Sequence, residues 1–284
     1  MISSLQNGIS ALKSFTEGLQ VLGNNIANSG SVGYKSSRIN YSDNFYLHLN
    51  KAETGADGAS SNNLHNMGTG VHVSGVSTNF SQGVLESTAI DLDVAIDGEA
   101  LPNAGGFFEV ADPTSGEKYF TRIGSFDVTA EGTLVTRDQF RYEVQNTNGE
   151  ALKYTLEEGE SLLARKIDMD GTFNLIVNKE GVDSSRSAGQ IMLANFQSPQ
   201  YLRRAGNGYY TNGSPGQDLA TKLNNTVPAT QSNGKLTQYA LELSNVDLTN
   251  EFAMMITHQR SFQAGSRVVT TSDQILNEAI NLKR

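Results

Sequence analysis

Both ends of the chain carry apolar residues at a seven-residue spacing, and the long middle does not. Between Asp247 and Leu282 there is no proline and one glycine, Gly265, while Leu241, Leu248, Met255, Phe262, Val269 and Leu276 recur every seventh position. Val268, Ile275 and Leu282 form a second row, and Phe252 and Ile280 widen the stripe. In a helix of 3.6 residues per turn this repeat makes a narrow seam that drifts slowly around the axis, the pattern of one helix lying lengthwise on another. At ~1.5 Å per residue such a helix is about 50 Å long. At the other end Leu5, Leu12, Leu19 and Ile26 repeat at seven, with Ile2 and Ile9 flanking and Phe15 and Leu22 beside them. Either segment alone suits an amphipathic helix capping an ordinary core. Together they predict a coiled coil built from the two termini.

Neither helix looks stable alone. Gly8, Gly18 and Gly23 interrupt the first, each at a cost of roughly 1 kcal/mol relative to alanine. Gln259, Ser266 and Asp273 dilute the second. A buried leucine contributes about 1.5–3 kcal/mol, but only if something covers it. The ends are therefore expected to be poorly ordered in a free chain and to fold on meeting copies of themselves. Asn24, Asn25, Asn28 and Gly30 predict the end of the first helix near Asn28. Asp247 is an N-cap candidate for the second, with Glu251 in its first turn.

From Val71 to about Asn233 the period falls from seven to two. Val71–Val73, Leu92–Ile96, Phe107–Val110, Tyr119–Thr121, Phe126–Val128, Thr133–Val135 and Phe173–Val177 read as short strands. Asp97-Gly98, Pro113–Gly116, Glu131-Gly132, Asn148-Gly149 and Asp170-Gly171 read as the turns between them, and Asn207–Tyr210 and Ser214–Gly216 as later loops. Strands at this spacing without helices predict an antiparallel sandwich or open barrel. The fold class expected is α+β, with long terminal helices and a central, mainly antiparallel β body. The boundaries are 1–34 for the first helix, 35–70 for a polar connecting stretch, 71–240 for the body and 241–284 for the second helix. Within the connecting stretch, Thr54–Asn63 is nearly all small or polar and reads as a flexible connector or exposed hairpin.

Composition excludes several classes of function. A net charge of −9 with no basic block argues against a nucleic-acid partner. No stretch approaches the ~20 apolar residues of a membrane span, so membrane insertion is not expected, and the N-terminus lacks the pattern of a cleaved secretory signal. Cysteine is absent, which leaves packing or self-association to supply stability.

Two motifs carry a resemblance. Gly23-Asn24-Asn25-Ile26-Ala27-Asn28 followed by Gly33-Tyr34-Lys35 resembles the N-terminal signature of the bacterial flagellar rod and hook proteins. Leu243–Thr249, Gln259-Arg260 and Thr270–Leu276 resemble the matching C-terminal signature. Leu92–Ile96, Gly106–Phe108 and Tyr119–Leu134 are similar to the body domain of that family, with Glu99–Gly105 as an apparent extra loop. The resemblance implies a subunit that self-assembles into the tubular axis of the flagellum. It further implies neighbouring rod, hook-junction and hook-cap proteins as partners, and export through the flagellar type III apparatus without a cleaved signal. An ordered stretch joining helices and body is implied for residues 35–70. An export motif of two apolar or aromatic residues four apart is implied there too, and Tyr41 and Phe45 fit it, with tyrosine where phenylalanine is usual. The ending Ile275–Arg284 is closer to the short hook proteins, whereas the short middle and long 35–67 segment also suit a distal rod protein; the sequence alone favours the hook.

The candidate residues for chemistry do not converge. His48, His65, His72 and His258 lack metal-ligand spacing, and there is no HExxH. Asp168-Met169-Asp170-Gly171 imitates the start of a calcium loop but lacks the later ligands and reads as a β-turn. Asp91, Asp93 and Asp97 read as a solvated strand face sooner than a carboxylate pair. Gly68-Thr69-Gly70 lacks the rest of a dinucleotide loop, and no Gly-x-Ser-x-Gly elbow occurs. No catalytic residue, cofactor or metal is expected. The reading from another class is a secreted β-sandwich enzyme or carbohydrate-binding module with helical extensions.

Overall fold

The computed structural model describes residues 2–50, 65–98, 106–155, 160–179, 182–213, 220, 222–226 and 234–282. The expected loops at Thr54–Asn63, Glu99–Gly105 and Ser214–Gly216 lie outside the described residues. The chain divides into two compact units. One comprises Met1–Ala27, Ser37–Thr78 and Asp247–Arg284, the other Asn28–Ser36 and Asn79–Val246.

The first unit is built on α1 (Ile2–Ala27) and α2 (Leu248–Asn281). Asp247 caps α2, its carboxylate accepting from the backbone N–H groups of Thr249 and Asn250, with Glu251 in the first turn against the positive end of the helix dipole. The helices run antiparallel. Ser4 Oγ lies 3.4 Å from Ser272 Oγ at one end, and Asn25 Nδ2 donates to Glu251 Oε1 at 3.1 Å at the other. Gly8 meets Val269 between these points, and Gly18 meets His258. Ser4, Gly18 and Asn25 therefore face Ser272, His258 and Glu251, which are small or polar residues themselves spaced in multiples of seven. The glycines expected to interrupt α1 do not. Gly8 and Gly18 are positions of close approach, where an added methyl would lie 2.8 Å from Val269 Cγ2 and 2.2 Å from Tyr41 Oη respectively.

Among the described residues four strands accompany the helices: β1 (Ser37–Asp43), β2 (Tyr46–Asn50), β3 (His65–Gly68) and β4 (Val71–Thr78). β1 pairs antiparallel with β4 across a register shift at Asn40/Tyr41, and β2 pairs with β3. Ser14 Oγ of α1 donates to Val71 O of β4 at 3.2 Å, and Asn7 Nδ2 donates to Gly68 O.

The second unit is the β body. In chain order its strands are β5 (Leu85–Ser87), β6 (Val94–Asp97), β7 (Phe107–Ala111), β8 (Lys118–Thr121), β9 (Phe126–Val128), β10 (Leu134–Thr136) and β11 (Glu143–Val144). There follow β12 (Glu160–Ile167), β13 (Thr172–Lys179), β14 (Val182–Gln190), β15 (Leu193–Phe196), β16 (Arg203–Gly206), β17 (Tyr209–Thr211), β18 (Lys222–Thr226), β19 (Lys235–Gln238) and β20 (Ala240–Glu242). A nine-stranded sheet runs β16-β17-β8-β7-β11-β10-β9, with β15 joining β7 and β18 joining β15. β12, β13 and β14 make a three-stranded sheet, and β19 pairs with β6 and β20 with β5. Among the described residues all pairings are antiparallel, as the turn chemistry predicts.

Alternation places the core. On β13 the inward residues Phe173, Leu175 and Val177 join Phe108, Val110, Phe126 and Leu134 of the large sheet in one buried cluster. Phe80, Phe107, Phe120, Phe196 and Tyr210 form a second cluster with edge-on ring contacts, the geometry the ring quadrupole favours. Asp168–Gly171 is the turn between β12 and β13, closed by Gly171 N–H to Asp168 O, with Gly171 at φ +80°.

Candidate assembly surfaces and a buried charge lock

The helix faces are unequally covered. On α1, Gly8, Ser14, Gly18, Leu22 and Asn25 are buried, while Leu5, Leu12, Leu19 and Ile26 are half-buried beside them. On α2, Met255, Val269 and Leu276 are half-buried, and Leu248 and Phe262 are exposed. Two further apolar stripes of α2 are open. Leu248, Phe252 and Ile256 follow an i, i+4, i+8 line near the start, and Val268, Ile275 and Leu282 a seven-residue line near the end. At ~100° per residue the two stripes point to different sides of the helix.

Polar groups fix the pairing of α1, β1 and α2. Fully buried Asn25 accepts from Ser37 N–H at 2.9 Å and donates to Ser37 O at 2.8 Å, besides its bond to Glu251. Asn24 and Ala27 are exposed, and Ile26 packs at the side. Tyr41 of β1 meets Phe15 and His258 with ring centroids 5.9–6.2 Å apart, and burial lowers the pKa of His258. Phe45 is 92% exposed, so Tyr41 and Phe45 have opposite environments. Gly23 has open space around it. Gly23→Ala is expected to raise stability by up to about 1 kcal/mol in thermal melts, whereas Gly18→Ala lowers it because the new methyl meets Tyr41 and His258.

In the body, the second half of the N-terminal motif is locked into place. Gly33, at φ +67°, donates its N–H to Glu242 O at 2.7 Å, and a side chain there would strike Ile123. Tyr34 lies beneath the Arg204 guanidinium, 5.1 Å from ring centroid to cation. Lys35 is fully buried, its Nζ 2.6 Å from Glu242 Oε1 and 2.9 Å from Ser81 O. Arg122, equally buried, places Nη1 3.5 Å from Glu242 Oε2 and its guanidinium over the Phe107 ring. Gly83 N–H also donates to Glu242 Oε1 at 2.8 Å. Asn28, at the start of this unit, accepts from Ser31 N–H and Ser31 Oγ. Sequence reasoning singled out Lys35 but neither Glu242 nor Arg122.

Burial, and secondarily the Arg122 charge, push the Lys35 ammonium down to about 8 from 10.5, against the pull of Glu242. Between those values the unfolded chain holds a proton that the folded chain has released, so this group adds stability as pH rises. The gain across the window is about 3 kcal/mol. Denaturant titrations of the wild type and Lys35→Met should diverge from pH 8 to 10.5, with the wild type gaining relative to the variant.

A chain with long antiparallel terminal helices, exposed apolar helix stripes and a β body held by internal ion pairs has the anatomy of an assembling structural subunit. Residues 237–282 match the family model described as flagellar basal body rod FlgEFG protein C-terminal, and residues 95–182 match the flagellar hook protein FlgE/F/G D1 domain. The chain is 37% identical to the flagellar basal-body rod protein FlgG of Bacillus subtilis over 284 residues, all of both chains. It is 29% identical to the FlgG of Borreliella burgdorferi over 296 residues, again 100% of each. The flagellar hook protein FlgE of the same organism matches at 28% over 190 residues, 66% of this chain and 39% of the relative. The chain belongs to the flagellar basal-body rod and hook protein family. It is a structural subunit of the flagellar axis.

Proposed function

We propose that the chain is a distal-rod subunit. The observation that carries this reading is coverage: the rod relatives align end to end, while the hook relative aligns over 39% of its length. The hook-like ending favoured by the sequence alone discriminates poorly, because it lies largely in the C-terminal region whose family model spans rod and hook proteins together. In this reading α1 and α2 form the inner coiled-coil layer, and residues 35–70 link it to the body. Copies of the chain contact one another head to tail, a heterologous arrangement that builds an open helical tube. Leu5, Leu12, Leu19, Ile26, Leu248, Met255, Phe262, Val269 and Leu276 supply the helix seams. Apolar stripes left open in one copy are covered by its neighbours, which couples folding of the ends to assembly. Neighbouring rod, hook-junction and hook-cap proteins are the further partners. The chain leaves the cell by type III export without a cleaved signal, with Tyr41 and Phe45 as the export motif, and it acts by assembly and not as an enzyme. Electron microscopy of tubes grown from the purified chain tests the choice between joint and shaft. Straight, stiff tubes are expected of a rod subunit, and curved, flexible tubes would overturn that assignment in favour of the hook.

A further inference from the structure

His258 of α2 is packed between α1 and β1. A Cβ at Gly18 of α1 would lie 2.6 Å from its Nδ1 and 2.7 Å from its Cε1, so the imidazole lies directly against the α1 backbone. Phe15 of α1 meets the imidazole edge-on, with ring centroids 5.9 Å apart at 80°, and the Tyr41 ring of β1 lies at 5.9 Å and 44°. Phe15 and Tyr41 also touch, at 6.2 Å, which closes a three-ring cluster drawn from three elements. Gly18 is buried, and the three rings are half-buried around it.

The surroundings of this ring suit a neutral imidazole. Among the described residues the Tyr41 hydroxyl, 3.4 Å from Nδ1, is the only hydrogen-bonding partner of His258, and no described carboxylate reaches it. Glu17, beside Gly18 on α1, acts on Tyr41 instead: burial, and then the Glu17 charge, raise the pKa of that phenol. Glu251 of α2 lies seven positions before His258, about 10 Å along the axis, and takes the Asn25 amide. Protonation therefore places a positive charge on a half-buried ring with no counter-charge from α1, β1 or α2. It also puts a proton on both ring nitrogens, so Nδ1 can no longer accept from the Tyr41 hydroxyl. Burial accordingly lowers the pKa of His258.

We propose that His258 makes the packing of α2 on α1 and β1 acid-sensitive, the neutral imidazole closing the three-ring cluster and the imidazolium opening it. In a tube whose inner layer is these helices, assembly inherits the sensitivity; that consequence rests on the proposed function, whereas the effect within one chain does not. With a native value below the ordinary ~6.5, the unfolded chain takes up the proton first as pH falls. The stabilisation is whole above the ordinary value and is lost as pH drops toward the native one. The test compares the full-length chain with His258→Phe, which keeps a ring against Gly18 but cannot be protonated, and with His258→Gln, which keeps a neutral polar group. Far-UV circular dichroism melts are taken below the concentration of assembly, at about pH 7.5 and about pH 5.5, either side of the ordinary imidazole value. The other histidines are common to all three chains and cancel. The wild type should lose more melting temperature on acidification than either variant, and its His258 ring should titrate by NMR below the ordinary value. Wild-type tubes should shorten or dissolve at the lower pH, and those of His258→Phe should persist. Equal losses in the wild type and both variants overturn the proposal, as does titration of His258 at or above the ordinary value. If no chain forms tubes at either pH, the assembly reading fails, and the melts and the titration still decide the role of His258.

Discussion

Glu242→Ala is expected to lower the stability of the β body by about 3–5 kcal/mol, on the order of 10 °C in melting temperature. The carboxylate is the counter-charge for two fully buried cations, Lys35 and Arg122, and it also accepts the Gly83 N–H. Removing it leaves both cations in a medium that solvates them poorly, and neither can reach water without opening the core. The reverse change is milder. In Lys35→Met the carboxylate keeps Arg122 and Gly83, so one anion still faces one cation. A cycle of single and double variants measured by urea unfolding should therefore show that the double variant is less damaged than Glu242→Ala alone. Equal losses for Lys35→Met and Glu242→Ala would mean that charge compensation is not what Glu242 provides.

Gly124→Ala is expected to be the most damaging single methyl addition in the body, at more than about 3 kcal/mol. A Cβ there would lie 1.7 Å from Val94 O and 3.0 Å from the Phe108 ring. Gly83 and Gly132 also face backbone carbonyls, at 2.0 Å, but the approach at Gly124 is tighter still, and the β6 backbone it meets is tied to the same loop by Val94 N–H to Gly124 O at 2.9 Å. The strand has to separate from the loop or the chain has to bend, and both outcomes open the cluster around Phe108 and Phe126. Circular dichroism melts and loss of dispersed core methyl signals would report it.

The helices and much of the body were legible in the sequence, for different physical reasons. Asp247 caps α2 and α1 stops at Ala27 because capping and stop chemistry are local. β13 was readable because one face is buried and alternation shows it, while β7 and β8, whose burial does not alternate, were readable as aromatic-rich runs bounded by turn residues. β1 was not, since Ser37–Asp43 alternates weakly buried with exposed residues and its polar composition resembles a connector. The helices approach each other partly at residues of the heptad rows, where Val269 meets Gly8 and Leu12 meets Gly265, and partly along a further row that the apolar repeat does not show. That further row, Ser4, Gly18 and Asn25 against Ser272, His258 and Glu251, is small or polar, and hydrophobic periodicity is blind to it. Gly8 and Gly18 looked like weak points because propensity counts the backbone alone and knows nothing of the neighbour that needs the space. The Lys35–Glu242 pair spans 207 positions of sequence, and no local pattern announces such a contact.

In the proposed assembly the open apolar stripes of α2 are contacts between copies. The most direct measurement compares sedimentation and electron microscopy of the wild-type chain with Phe252→Asp and Val268→Asp, one charge on each stripe at residues about half exposed in the single chain. Both variants should melt within about 0.5 kcal/mol of the wild type, as exposed substitutions do, and both should remain monomeric where the wild type forms tubes. Tubes of normal length and shape from both variants would contradict the account and place the assembly contacts elsewhere on the molecule.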